Sequence, residues 1–189
     1  MQNSEIERVS PVATRSRHEM VLLVDKALID IKSEDAAKSR RKREIHALHR
    51  GNEDSLQRML NAIQPGSYVR PHRHLEPPKA ETVVILQGSL GFVVFDEKGN
   101  PADGRFILLD AGRGAFAVDA RAGLWHTFFA LEDNTVLFEV KPGPYDPGTD
   151  KDFAHWAPAE DEAGAKEYLM GIEDRFRSVL GLAPRQWGR

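Results

Sequence analysis

The chain has no cysteine in its 189 residues. That excludes disulfides, thiolate metal ligands and cysteine nucleophiles, so any bound metal must rest on nitrogen and oxygen donors. Long apolar runs are missing too. No stretch approaches the roughly 20 apolar residues of a membrane-spanning helix, and MQNSEIERVS has mixed charges and no apolar core of about 7–15 residues of the kind that marks a secretory signal. The expectation is a soluble, cytoplasmic protein that does not engage a membrane. An excess of positive charge is also absent. The 26 Lys and Arg stand against 29 Asp and Glu, a formal charge of −3, which leaves nothing to neutralise a phosphate backbone and argues against nucleic acid as a partner.

Three regions follow from the patterning. Residues 1–50 form an N-terminal extension of helix and linker. Met20, Val21, Val24, Leu28 and Ile31 recur at a spacing near 3.6, which predicts an amphipathic helix over 16–31. The charged KSEDAAKSRRKRE that follows reads as a solvated connection. Residues 51–145 switch to short β-like runs separated by Gly, Asn and Asp: QRMLNAI, SYVRPHRH, ETVVIL, SLGFVVF, GRFILLD, AFAVD, GLWHTFF and TVLFEVK. Such a series predicts an all-β jelly roll or closed barrel. Residues 146–189 hold a Pro-rich segment and a C-terminal helix starting near Pro158, with Tyr168, Leu169, Ile172, Phe176, Val179 and Leu180 as its apolar stripe. Both are expected to pack on the barrel.

The segment from Gly66 to Gly88 carries the chemistry. On a strand, alternate residues share a face, so His72 and His74 project together, with Arg70 and Tyr68 on the same face. Two imidazoles aimed inward need a partner, and a divalent metal satisfies both. Glu81 can add a carboxylate oxygen, with Glu76 as a rival, and His126 in GLWHT offers a third imidazole from another strand. Arg70 and Tyr68 can hold an anionic or hydroxylated substrate, or serve as strand-end contacts. Glu139 points inward if Val136, Phe138 and Val140 take the other face, and can then act as an acid–base group. Trp125 should face away from the ligands as a packing residue. His46, His49 and His155 lie outside this pattern, and His46 and His49 read as surface residues.

These residues resemble the cupin pattern: glycine, five residues, H-x-H, glutamate, six residues, glycine, and later a glycine three residues before a histidine. Gly66, His72, His74, Glu81 and Gly88 fill the first part, and Gly123 and His126 the second. Six residues separate His74 from Glu81, more than the usual three or four, and Arg121 stands where the pattern has proline. More narrowly, RKREIHALHR, DSLQRMLNAIQPGSYVRPHRH, GLWHT and VLFEVKPGPYDPGTDKDFAHWAP are similar to the WbuC-type cupin fold metalloproteins, with Ala80 where that family has tryptophan. The resemblance implies a cupin (double-stranded β-helix) barrel with a divalent metal, Fe, Mn, Ni or Zn, on His72, His74, Glu81 and His126. It also implies a homodimer and an association with bacterial surface-polysaccharide (O-antigen) synthesis. Three functions stay open at this point: a metal-dependent isomerase, lyase or dioxygenase on a small polar, sugar-like substrate; a metal-free sugar epimerase using a His–carboxylate pair; and a non-catalytic ligand-binding cupin.

Overall fold

A computed structural model describes residues 5–187, with side chains placed for all but 102–104. In chain order the elements are β1 (Glu5–Ser10), β2 (Ala13–Arg17), α1 (Lys26–Lys38), β3 (Arg43–Ala47), β4 (Leu56–Ile63), β5 (His72–Arg73), β6 (Glu81–Gln87), β7 (Ser89–Phe95), β8 (Pro101–Asp110), β9 (Ala117–Ala120), β10 (Trp125–Ala130), β11 (Thr135–Pro142), β12 (Asp152–Phe153) and α2 (Ala165–Val179). One sheet runs β1-β2-β3-β4-β11-β6-β9 and the other β12-β5-β10-β7-β8. From β4 to β7 and again from β8 to β11, successive strands alternate between the sheets, which is the cupin jelly roll. Its consequence is local: strands near in sequence face each other across the core instead of lying side by side.

Strand alternation then sorts side chains into layers. The space between the sheets is filled by Val69, Val83, Ile85, Leu90, Phe92, Val94, Phe128 and Leu137. Outside the second sheet, Val93, Phe95 and Phe129 meet Leu169 and Phe176 of α2. Outside the first, Leu60, Ala62 and Val136 meet Leu28 and Ala36 of α1. The order is therefore helix, sheet, sheet, helix, and the interior between the sheets is closed over on two sides.

The N-terminal helix sits later than its apolar spacing predicts. Residues 13–17 form β2, and Met20 and Val21 are 90% and 85% exposed. The helix begins where Asp25 caps it, its side chain accepting from the Leu28 amide at 3.0 Å. The charged run is not a solvated linker. Residues 32–38 continue α1, 39–42 turn, and Arg43 and Glu44 open β3, and Lys32 is buried with its Nζ on Asp35 at 2.6 Å and Thr14 Oγ1 at 3.2 Å. Helix-forming Lys, Glu and Ala outweigh the lack of large apolar groups there. At the other end, 158–164 turns before α2 opens at Ala165, since Glu162 bonds back to the Ala159 amide and holds the acidic run in turns.

Candidate metal centre

The expected strand SYVRPHRH shrinks to a ladder of two residues, β5, pinned between β10 and β12 with His72 opposite both His126 and Phe153. Pro71 and the irregular stretch before it have no regular ladder to join. This break decides the fate of two predicted site residues. Tyr68 turns out of the barrel into the cluster beneath α2, donating its hydroxyl to the Pro158 carbonyl at 2.9 Å, and burial followed by the neighbouring Tyr168 pushes its phenol well above the usual range. Arg70 donates to the Ala154 carbonyl at 2.8 Å and lies 5.5 Å over the Phe153 ring. Neither side-chain polar group bonds the histidines, because residue alternation holds only within regular strand.

Four predicted donors do converge. His72 and His74 come from β5 and its exit, Glu81 from the start of β6, and His126 from β10; their ligand atoms lie within 4.8 Å of one another and all four residues are buried. The rival Glu76 is exposed. Glu81 Oε2 is 3.1 Å from His74 Nε2 and 3.4 Å from His126 Nε2. Phe92 stacks on His126 at 5.3 Å between ring centres, making one wall of the site apolar. Glycines frame it: Gly66, Gly88 and Gly123 all have positive φ. At Gly88 the requirement is also steric, since an added Cβ would sit 2.9 Å from the Thr135 Cα.

The far sides of the three imidazoles are alike. His72 Nδ1 faces the Arg70 carbonyl at 3.0 Å, His126 Nδ1 the Leu124 carbonyl at 2.9 Å, and His74 Nδ1 the Asp150 carbonyl. A carbonyl oxygen only accepts, so each Nδ1 carries the ring hydrogen and each Nε2 of a neutral ring presents a lone pair inward. Burial, then the nearby Lys151 charge, holds His72 well below the usual histidine range, so that ring is neutral. Lone pairs and a carboxylate facing one another repel unless a cation lies between them, and His126 Nε2 is buried with no hydrogen-bond partner. Nitrogen and oxygen donors of this kind fit a divalent transition metal at about 2.0–2.2 Å.

Behind Glu81 lies a second polar group. Glu139 does point between the sheets, opposite Val83 and Met59, while Val136 and Phe138 face α1. Its Oε2 accepts from Asn61 at 2.6 Å and its Oε1 lies 3.5 Å from Lys141 Nζ. Burial first, and the Glu81 charge second, raise the Glu139 carboxyl. Carboxylates at Glu139, Glu81 and Asp150 hold Lys141 above the usual lysine range although burial opposes this. Asn61, Lys141, Lys79 and Asp150 were not legible as site residues. The usable signal was weak: Asn61 and Lys141 share strand parity with inward residues on paired strands.

Of the remaining candidates, Trp125 faces out, its Nε1 donating to Glu97 at 3.0 Å with Arg73 over its ring. His155 is exposed. His46 and His49 are buried rather than on the surface, because β3 is an inner strand between β2 and β4 with α1 against it, and His49 just beyond it bonds the Arg58 backbone. The basic run RRKR supplies no free patch: Arg41 and Arg43 both bond Glu160, at 3.0 and 2.5 Å, in a surface cleft that none of the four donors lines.

A buried cluster of three histidines and a glutamate within a jelly-roll barrel is a donor set able to hold a metal ion. By sequence, residues 24–107 match a family described as a domain of unknown function (DUF6016), a span that includes His72, His74 and Glu81 but stops before His126. No curated protein matches the chain. Among solved structures it is similar to an RmlC epimerase of Mycobacterium tuberculosis, at 27% identity and a TM-score of 0.42 over 51% of this chain and 50% of that one. It is similar also to the capsular polysaccharide assembling protein CapF of Staphylococcus aureus, at 21% identity and a TM-score of 0.43 over 53% of this chain and 27% of that one. The cupin domain of Schizosaccharomyces pombe Cnp3 aligns at 12% identity and a TM-score of 0.40, over 54% of this chain and 65% of that one. The chain thus spans half or less of the length of the first two.

Proposed function

We propose that the protein is a metal-dependent cupin enzyme acting on a small polar, sugar-like substrate, with His72, His74, Glu81 and His126 as metal ligands. One observation carries the reading: all three Nδ1 atoms face backbone carbonyls, so three Nε2 atoms are aimed at one carboxylate. A site meant for acid–base work without metal needs one such imidazole with its proton free to move, and has no use for three fixed in the same tautomer.

Four protein donors leave a position open on a metal that takes five or six ligands, and a bound Fe, Mn, Ni or Zn ion would supply Lewis-acid polarisation of a substrate carbonyl or hydroxyl. The chain's own part is then definable. The carbonyls of Arg70, Leu124 and Asp150 orient the rings. Phe92 excludes water from one side. Glu139, its carboxyl raised by burial and by Glu81, is the group suited to give or take a proton, with Asn61 and Lys141 fixing its orientation. The side chains of Arg70 and Tyr68 have no place in this assignment, being bonded elsewhere. The strings quoted above are the basis for placing the chain with the WbuC-type cupins and for a role in surface-polysaccharide chemistry, as a cytoplasmic homodimer.

The test is elemental analysis of protein purified without added metal or affinity tag, beside the His72→Ala variant. About one equivalent of a transition metal, lost in the variant, supports the reading and directs substrate screening by metal identity. No metal in the wild type, even after reconstitution, sinks it in favour of a metal-free His–carboxylate site or a ligand-binding barrel.

A further inference from the structure

The exposed segment that follows β11 holds one buried residue, Asp150, which is 3% exposed while Tyr145 to Thr149 face solvent. Its carboxylate lies between two buried ammonium groups, Lys79 Nζ at 3.1 Å on one oxygen and Lys141 Nζ at 2.9 Å on the other. Its backbone carbonyl accepts from His74 Nδ1. Three buried charges are costly to assemble unless they are paired.

Lys79 comes from the stretch between His74 and Glu81, the gap longer than the general pattern. That stretch folds back on itself, with the Lys79 amide on the His74 carbonyl at 3.4 Å and Leu75 bridged to Pro78. The contacts form a closed circuit. The His74 carbonyl accepts from the Lys79 amide, Lys79 Nζ donates to the Asp150 carboxylate, and the Asp150 carbonyl accepts from the His74 ring. Lys79 also donates to the Pro144 carbonyl at 2.8 Å, tying down the far end of the same exposed segment. His72 and His126 take their carbonyls from residues two positions back in their own chain, Arg70 and Leu124. His74 alone of the three is oriented by a residue 76 positions away.

We infer that Asp150 is a positioning residue of the metal centre, setting the tautomer and tilt of His74, and that Lys79 and Lys141 act through it. The inference rests on the metal reading of the cluster. It assigns the long His74–Glu81 gap a purpose, which is to bring Lys79 round to the carboxylate that holds the histidine's partner in place. Outer partners of metal-bound histidines typically set affinity by 10–100-fold.

The test uses the full chain, stripped of metal and titrated with Co²⁺, reading the dissociation constant by chelator competition and the visible ligand-field bands. Asp150→Asn keeps the carbonyl and the shape but loses both ion pairs. It is expected to bind cobalt about 10–100-fold more weakly with altered bands. Lys79→Gln, which leaves Lys141 on the carboxylate, should shift both readouts less in the same direction, and it decides the matter alone if Asp150→Asn does not fold. Phe176→Ala, which destabilises the opposite face of the second sheet, should leave both at wild-type values. Wild-type affinity and bands in folded Asp150→Asn or Lys79→Gln, or an equal loss in Phe176→Ala, overturn the positioning role. A wild type that takes up no cobalt overturns the metal reading itself.

Discussion

His46 shows how a residue outside the motif can be read wrongly in place. Its ring is fully buried between the hydroxyls of Thr14 and Ser16, at 2.8 and 2.7 Å. Burial, with the Lys32 charge adding to it, lowers its pKa from 6.5 to about 4. The folded protein thus binds this proton less readily than the unfolded chain, whose histidine titrates near 6.5, so stability is fully present above the unfolded value and falls as pH drops between 6.5 and about 4. Thermal melts over that window should show wild type losing Tm with acid and His46→Gln losing less; equal slopes would remove His46 from the account. For the candidate ligands, His126→Ala should lower metal content to near zero while exposed His155→Ala leaves it unchanged, as read by elemental analysis. Loss in both would mean that the metal is held elsewhere.

At the scale of elements, the caps and packing faces make separable predictions. Asp25→Ala removes the side chain that starts α1 and should cost about 1 kcal/mol in denaturant unfolding. Phe176→Ala opens a hole where its ring meets Phe129 edge-on at 5.3 Å and Phe106 at 5.7 Å, and about 3–5 kcal/mol should be lost. A change under about 1 kcal/mol there would mean that α2 is not packed as described. The barrel strands were legible because short β-like runs are separated by Gly, Asn and Asp, with His126 and Glu139 on the same parity as the core residues Phe128 and Leu137. The motif spacing made His72, His74, Glu81 and His126 legible as a set. What failed did so for local reasons. Periodicity placed the first helix too early because Met20 and Val21 carry the pattern but bury nothing, and no pattern marks a cap as strongly as Asp25 acts. Tyr68 was misplaced because Pro71 ends the alternation that assigned it. Asp150 was invisible because its importance lies in a backbone carbonyl and in two lysines distant in sequence.

For the whole molecule, the centre lies between two sheets that α1 and α2 cover from outside, so metal held there contributes to the stability of the assembled barrel rather than to one element. A ligand that binds only the folded form stabilises it by about 2.7 kcal/mol at one hundred times its dissociation constant, which for a chain of this size is a rise in Tm of roughly 5–10 °C. Calorimetry of wild type with and without chelator should show that difference, and the His72→Ala variant should show none. The ladder that carries the histidines nevertheless has only two residues, His72 and Arg73, joined to one strand on each side. Amides there have few neighbours to break before they open, in contrast to the long pairing of β11 with β4. Amide deuteration should therefore proceed faster at β5 than in the β4–β11 pair, and metal should leave through this local breathing at a rate set by the rim, while the barrel itself stays shut.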